Sequence, residues 1–327
     1  MRRAIFAAIL VCAACGPPKK HTVRIAVGGQ SALRFLPVYL AGELGYFEAE
    51  GLNVTLDGLA GSAKAMQAVI AGSADVGAGF YDQTIAIAAE GRDVRSFLTM
   101  TTHLGFVVTG APGSKRKVAK IADLRGAIVG VAAPGSSGHM LLNYLLARNG
   151  MKPEDVSVTG FGSGATAIAA LEHGTVDAGV HADLVLIPIL RKHPDLPILA
   201  DTRTTAGLTA VFGSAAYPGS VLYANQTWLA AHGETARKTV HAVRRAMAWA
   251  REHNAEELAA KLSAVYPVED RSILAEALRG TTEIISTDGR LPAGAPETVL
   301  RVLTESNPKL KQVKLDLSHT YTDAYLD

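Results

Sequence analysis

The 327-residue chain has two cysteines, Cys12 and Cys15, and both fall within its first fifteen residues. The rest of the chain therefore offers no disulfide, no thiolate metal site and no cysteine nucleophile. An excess of one charge is also lacking. Lysine and arginine number 32 against 30 acidic residues, and setting aside Arg2 and Arg3 leaves 30 against 30 (32 − 2 = 30). A chain without basic excess has no electrostatic footprint for nucleic acid. Beyond the N-terminal segment no apolar run approaches the ~20 residues of a transmembrane helix. Enzyme signatures are absent as well. There is no His-Glu-x-x-His and no Gly-x-x-x-x-Gly-Lys-Ser/Thr, and Gly135–Gly138 lacks the Gly-x-Ser-x-Gly spacing. Gly160-Phe161-Gly162-Ser163-Gly164 is glycine-rich but lacks the full dinucleotide-binding spacing. None of the ten histidines pairs with another at ligand spacing on a clear helix face, so no metal or cofactor is expected.

What is present begins with an export pattern. Arg2 and Arg3 precede an apolar run, Ala4–Ala14, that is too short to span a bilayer. Cys15-Gly16 resembles a bacterial lipobox, in which the cysteine is lipidated, although Cys12 stands where leucine is usual, so plain cleavage stays open. Residues 16–21 then form a short polar tether. The expectation is an exported protein of the periplasm or cell envelope, held to the membrane by a lipid on Cys15.

The most informative feature is a repeat. Residues 62–82 read SAKAMQAVIAGSADVGAGFYD and residues 164–183 read GATAIAALEHGTVDAGVHAD, at a constant offset (174 − 72 = 102). That offset is the size of a small domain, not of a solenoid unit. The copies extend upstream. Arg24–Val27 and Ala127–Val131 are apolar strands, each followed by a small-residue loop, a helix and a second strand. Each copy thus reads strand–helix–strand–helix–strand, the pattern of a parallel sheet with crossover helices. The fold class expected is α/β, in two lobes, each a mixed, mostly parallel sheet flanked by helices. Lobe 1 takes residues 22–104 plus 217–327 and lobe 2 takes 105–216. Leu104–Val108 and Ser220–Ala224 are read as the two crossings. Helices from Trp228 onward are expected to pack on lobe 1, and the alternating tail Leu310–Leu317 to add an edge strand.

In open parallel sheets ligands sit beyond the carboxyl ends of the strands, where helix N-termini point. Two such loops should face each other, one with Gly29, Gln30 and Ser31, the other with Ser136, Ser137, Gly138 and His139. Glycine lets backbone approach a ligand, and free N–H groups at helix starts favour anions. The competing role for Ser31 and Ser137 is ordinary helix capping. Tyr81, Asp82, His181 and Asp183 end the equivalent third strands and should rim the same cleft. Asp82 and Asp183 could equally cap helices. Phe35 could line the pocket, while Tyr39 is assigned to the core.

Phe35-Leu36-Pro37-Val38-Tyr39-Leu40-Ala41, followed by Glu43-Leu44-Gly45-Tyr46-Phe47 and Gly51-Leu52-Asn53-Val54, strongly resembles periplasmic substrate-binding proteins. The family is that of the sulfonate/taurine/nitrate and pyrimidine-precursor (thiamine-biosynthesis-like) ABC importers. Gly72-Ser73-Ala74-Asp75-Val76-Gly77, Ile121–Gly126 and Gly135–Met140 match further landmarks in order. The resemblance covers roughly residues 22–260 and implies a two-lobed, hinge-closing type II binding-protein fold. Such a protein is a non-enzymatic, monomeric solute receptor that delivers its ligand to a membrane permease. The family's ligand contacts map to Gly29–Ser31, Tyr81–Asp82, Ser136–His139 and His181–Asp183. A small organic anion or zwitterion, sulfonate-like, is the leading ligand class, and a flat heterocycle stacked on Tyr81 is second. The competing class is an enzyme on the same fold, in a pyrimidine or menaquinone pathway. The pyrimidine-synthesising branch, however, carries a cysteine-rich iron motif that this chain lacks after residue 15.

Overall fold

The computed structural model describes residues 21–29, 32–268 and 270–327. Cys15, Gln30 and Ser31, named above, lie outside the described residues. The strands, in chain order, are β1 (His21–Val27), β2 (Leu52–Gly58), β3 (Val76–Phe80), β4 (Val94–Thr99), β5 (Val107–Gly110), β6 (Ile128–Val131), β7 (Ser157–Gly160), β8 (Ala178–His181), β9 (Ile198–Asp201) and β10 (Ser220–Asn225). They form two five-stranded sheets of order β2-β1-β3-β10-β4 and β7-β6-β8-β5-β9. In each sheet the first three strands are parallel and the fourth is antiparallel to both neighbours. The antiparallel strands are the two expected crossings. β5 leaves β4 to enter the second sheet, and β10 returns from the second sheet to the first.

The helices are α1 (Leu36–Glu43), α2 (Tyr46–Ala49), α3 (Ser62–Ile70), α4 (Tyr81–Ala89), α5 (Ser137–Arg148), α6 (Ala165–Glu172), α7 (Asp183–Lys192), α8 (Thr205–Phe212), α9 (Gln226–Ala231), α10 (Gly233–Glu252), α11 (Ala255–Leu262), α12 (Arg271–Glu283) and α13 (Ala295–Ser306). α10 shows the sequence logic. Val240, Val243, Met247 and Ala250 recur at helical spacing and are buried, while Arg237, His241 and Arg245 stay exposed.

The repeated Gly-x-x-Asp does the same structural work twice. Gly72 and Gly174, at φ +72° and +66°, end α3 and α6 in the left-handed conformation that glycine tolerates. Asp75 then accepts from the Arg24 N–H at 2.9 Å and holds the Arg24 guanidinium at 2.8 Å. Asp177 accepts from the Ile128 N–H at 2.9 Å. Each aspartate thereby registers the helix–strand corner against the neighbouring parallel strand, β1 or β6.

The repeated glycines make room for an aromatic ring. A Cβ on Gly77 would lie 2.2 Å from the Tyr223 ring, and one on Gly179 about 3.0 Å from Phe161. Tyr223 of β10 therefore lies flat across β3 and is wholly buried.

Two expectations need correction. The tail over 310–317 forms no strand. It folds as 3-10 turns at Pro308–Gln312 and Leu317–His319, whose first N–H groups are taken by Asn307 and Asp316. Those side-chain caps draw the backbone into turns, against the extended alternation of the sequence. The C-terminal helices also do not confine themselves to the first sheet's side. α10 and α11 pack on α1, but α12 packs on α7 and α13 on both α4 and α5. Arg191 of α7 reaches Asp270 at 2.9 Å and Glu276 of α12 at 2.6 Å. Chain pattern revealed the buried faces of these helices but not that one helix could serve two sheets.

Replacing Gly77 with alanine should drive the new methyl into the Tyr223 ring and cost about 1–3 kcal/mol. Urea unfolding should show a lower midpoint, restored in part when Tyr223→Leu is added. An unchanged midpoint would contradict the packing described.

Candidate functional site

The carboxyl ends of all six parallel strands meet at one cavity of about 30 Å³. From the first sheet's side come Gly28 and Gly29 after β1, Gly61 and Ser62 at the start of α3, and Phe80 at the end of β3. From the second come Ala132 and Ser136 after β6, Gly162 and Ser163 after β7, and His181 and Ala182 at the end of β8. Phe106, on the first crossing, closes the back, stacked at a tilt on Phe80 with centroids 5.3 Å apart.

Three features make this cavity chemically distinct. First, α3, α5 and α7 all begin on its wall, at Gly61, Ser136 and Ala182, and none has a side-chain cap on its N-terminus. The Ser137 N–H of α5 donates to Ser62 Oγ at 3.4 Å, and the positive ends of the three helix dipoles meet at the cleft. Second, the wall is close-fitting backbone. Gly29 has φ +125°, and a Cβ on Gly28 would fall 2.6 Å from Ser62 Cα. Third, two buried side-chain atoms on the wall, Ser136 Oγ and His181 Nδ1, have no hydrogen-bond partner. A roomier groove of about 630 Å³ lies between α6, α7 and α12, but no unpartnered buried polar atom among the described residues lines it.

His181 is set by its surroundings. Burial, with the nearby Arg203 charge adding to it, lowers its pKa to about 4, so the ring is neutral at physiological pH. Its Nε2 lies 2.9 Å from Thr109 Oγ1 on β5. One ring nitrogen is thus engaged within the second sheet, and the other has no hydrogen-bond partner.

The remaining expected residues divide into those around the cavity and those turned away. Ser137 and Asp82 join the lobes directly, Ser137 Oγ donating to Asp82 Oδ1 at 2.6 Å. Tyr217, just before the return crossing, donates to the other oxygen at 3.3 Å. Burial lifts the Asp82 carboxyl to about 6 despite these donors. Gly138 sits where α5 presses on Val180, with 3.3 Å for a Cβ. His139 bends back to accept from the Gly135 N–H at 2.9 Å. Asp183 accepts from Arg203 at 2.9 Å, and Arg203 also holds Asp201 at 2.6 Å. Phe35 is fully buried, edge-on to Phe80 at 5.4 Å, one layer behind the wall. Tyr81 is turned into the first sheet's core, with its hydroxyl 2.5 Å from Thr320 Oγ1. Tyr39 is core, edge-on to Tyr266.

Sequence reading missed Ser62, Phe106, Ser163 and the neighbouring Arg34, while Gln83 was expected at the rim with Tyr81 and Asp82. Gln83 donates across the cleft to the Gly135 carbonyl at 3.1 Å. Arg34 is 1% exposed, lies 4.8 Å over the Phe106 ring and donates to the Gly105 carbonyl. Burial lowers its pKa to about 10, which leaves it charged at neutral pH. Ser163 stood in a glycine-rich loop that spacing alone marked as a connector. Arg34 carried no signal, because an isolated arginine in an apolar helix start reads as a surface residue.

The family model described as NMT1/THI5 like matches residues 32–257. The chain belongs to the NMT1/THI5-like family. A solved structure of a Bordetella bronchiseptica RB50 protein is 34% identical, with a TM-score of 0.88, covering 94% of this chain and 96% of that one. The alkanesulfonate-binding protein of Xanthomonas axonopodis pv. citri, bound to MOPS, is 18% identical, with a TM-score of 0.70 and coverage of 92% and 98%. The periplasmic nitrate-binding protein of Synechocystis PCC 6803 is 14% identical, with a TM-score of 0.67 and coverage of 94% and 88%. No curated protein sequence matches. The two sheets are therefore the two lobes of the periplasmic binding protein fold. No helix among the described residues is long and apolar enough to cross a membrane, and no cluster of three metal-ligating side chains occurs among them.

The buried Asp82 yields a pH prediction. Its folded pKa of about 6 exceeds the unfolded value, so the native state holds the proton more tightly. Its contribution is present at low pH and is lost as pH rises from about 4 to about 6, a change of about 3 kcal/mol. Denaturant midpoints across this range should carry that slope in the parent protein and lack it in Asp82→Asn. Parallel curves would refute the assignment.

Proposed function

We propose that this protein is the solute-binding component of an ABC import system. It captures a small organic anion or zwitterion, sulfonate-like, between its two lobes, which close on it by hinge motion and present it to a permease. The lobes are residues 22–104 with 217–327, and residues 105–216. The observation that carries this reading is the convergence of three uncapped helix N-termini on one cavity whose buried Ser136 hydroxyl has no partner. Helix N-termini and glycine backbone bind anions without a full counter-charge. Gly29, Gln30, Ser31, Ser136, Gly138 and His181 then touch the ligand. Ser137 and Asp82 belong to the contact that forms on closure. Phe80 and Phe106 give the non-acidic part of the ligand an apolar wall. Binding transfers no bonds in this reading, and the protein is not an enzyme. The sulfonate- and nitrate-binding neighbours of the same fold support the choice of an acidic ligand.

The topology supports hinge closure. Only β5 and β10 carry the chain between the sheets, and a ligand touching both lobes favours the closed form by its differential affinity. α12 and α13 touch both lobes, so opening must slide or release their contacts with α7 and α5.

A thermal-shift screen of sulfonates, nitrate, pyrimidines, flavin and amino acids tests the ligand class. A sulfonate at about a hundred times its dissociation constant should stabilise the fold by about 2.7 kcal/mol. Ser136→Ala should lower that affinity. Stabilisation by a pyrimidine alone would overturn the choice of ligand.

We further propose export and lipidation at Cys15, on the export pattern and lipobox-like sequence described above. Cys15→Ser should move the protein from the membrane to the soluble fraction on cell fractionation. A parent protein already soluble would remove the anchor.

A further inference from the structure

The cavity at the strand ends measures about 30 Å³. One water needs about 10–15 Å³ by that measure, so the cavity holds an acidic head group and little more. The rest of an organic acid must lie elsewhere. The groove of about 630 Å³ between α6, α7 and α12 begins beside this cavity. Gly162 and Ser163 line the cavity, and Gly164 and Ala165, next in the chain, line the groove. Ala182 lines the cavity, and Leu184 lines the groove. On lobe 1, Ala32 lines the cavity, and its carbonyl accepts at 3.5 Å from the hydroxyl of Tyr266, on the groove wall.

From there the groove follows two helices outward. Ala165, Ile168, Ala169 and Glu172 recur along one face of α6, and Leu184, Pro188 and Lys192 along one face of α7. Ala165 to Glu172 spans about 10 Å. The opposite wall is Tyr266, Pro267, Val268 and Ile273 of lobe 1. Polar groups stand at the edges and most are already engaged. Glu172 and Lys192 pair at the far end at 2.7 Å, and Asp270 is held by Arg191 at 2.9 Å. Since no unpartnered buried polar atom among the described residues lines the groove, its walls suit apolar surface. The space exists because glycine and alanine, at Gly164, Ala165 and Ala169, face it from α6.

We infer that the groove is a second subsite of the ligand site, which takes the apolar tail of an amphipathic acid whose head lies in the cavity. The inference rests on the acidic ligand proposed above and names the shape of its organic part. Helix N-termini then read the charge, and buried apolar area reads the length of the tail. The Glu172–Lys192 pair ends the apolar stretch and limits that length to about 10 Å. Because the walls come from both lobes, a tail buried there adds to the contacts that favour the closed form.

The test is isothermal titration of the full chain with ethane-, butane- and hexanesulfonate. Each methylene added beyond ethanesulfonate should tighten binding about fourfold, about two hundredfold for hexanesulfonate. Ala169 is exposed on the surface of α6, so Ala169→Trp should fill the groove and leave the unliganded thermal midpoint unchanged. This variant should bind hexanesulfonate little better than ethanesulfonate, and ethanesulfonate as the parent does. Ser136→Ala, at the head, should instead weaken all three acids by a common factor. If the short acid binds and lengthening it gains nothing, the groove is not a subsite, while the acidic head site stands. A gain with length that survives both Ala169→Trp and Ala165→Trp places the tail elsewhere and also overturns the proposal. Binding of none of the three sulfonates removes the acidic-ligand reading itself, and this inference with it.

Discussion

A parallel strand can be followed by another parallel strand only through a crossover, and the crossover helix must begin at the strand's carboxyl end. That constraint governs the molecule. It sends the open N–H groups of α3, α5 and α7 to the same edge of their sheets, because each follows a strand that points there. Duplication of the unit then sets two such edges against each other. A cleft lined by helix N-termini is the geometric result, before any residue is chosen for a ligand.

The cavity wall varies where the two copies stop agreeing. At equivalent positions the third strand ends in Gly79-Phe80-Tyr81 in one lobe and His181-Ala182-Asp183 in the other. Phe80 gives the wall an aromatic face, and His181 gives it a neutral imidazole anchored through Thr109. Asp183 is drawn off to Arg203, and Tyr81 to Thr320. The repeated aspartates, Asp75 and Asp177, are bound to the backbone of the neighbouring parallel strand, β1 or β6. The most regular part of the repeat thus holds the scaffold, and the irregular part faces the cavity.

Much of the fold was legible because its signals are local. Apolar strands, glycine at helix ends and the 3.6-residue pattern of α10 depend on neighbours in sequence. The alternation of strands and helices in each lobe followed from the repeat, and the two crossings from short β-prone runs, while the order of strands within a sheet came only with the structure. The site was legible at the level of loops: Gly29, Ser136 and His181 line the cavity, as their place after parallel strands implied. Individual side chains were less so. Whether Tyr81 turns toward the cleft or toward Thr320 depends on a C-terminal segment more than two hundred residues away. Arg34 takes its meaning from Gly105 and Phe106, just before a strand of the other sheet.

By itself the sequence determined the two-lobed plan, the strands that cross between lobes and the sheet edges that line the cavity. These follow from hydrophobic period, turn residues and duplication, all of which act over short stretches of chain. The tertiary structure alone decided which of the gathered residues face the cavity. It also decided that Asp82 and Ser137 meet across the lobes, and that α12 and α13 brace both sheets. Those outcomes rest on contacts between segments far apart in sequence, where packing and the satisfaction of buried polar groups, not local preference, select the orientation of a side chain.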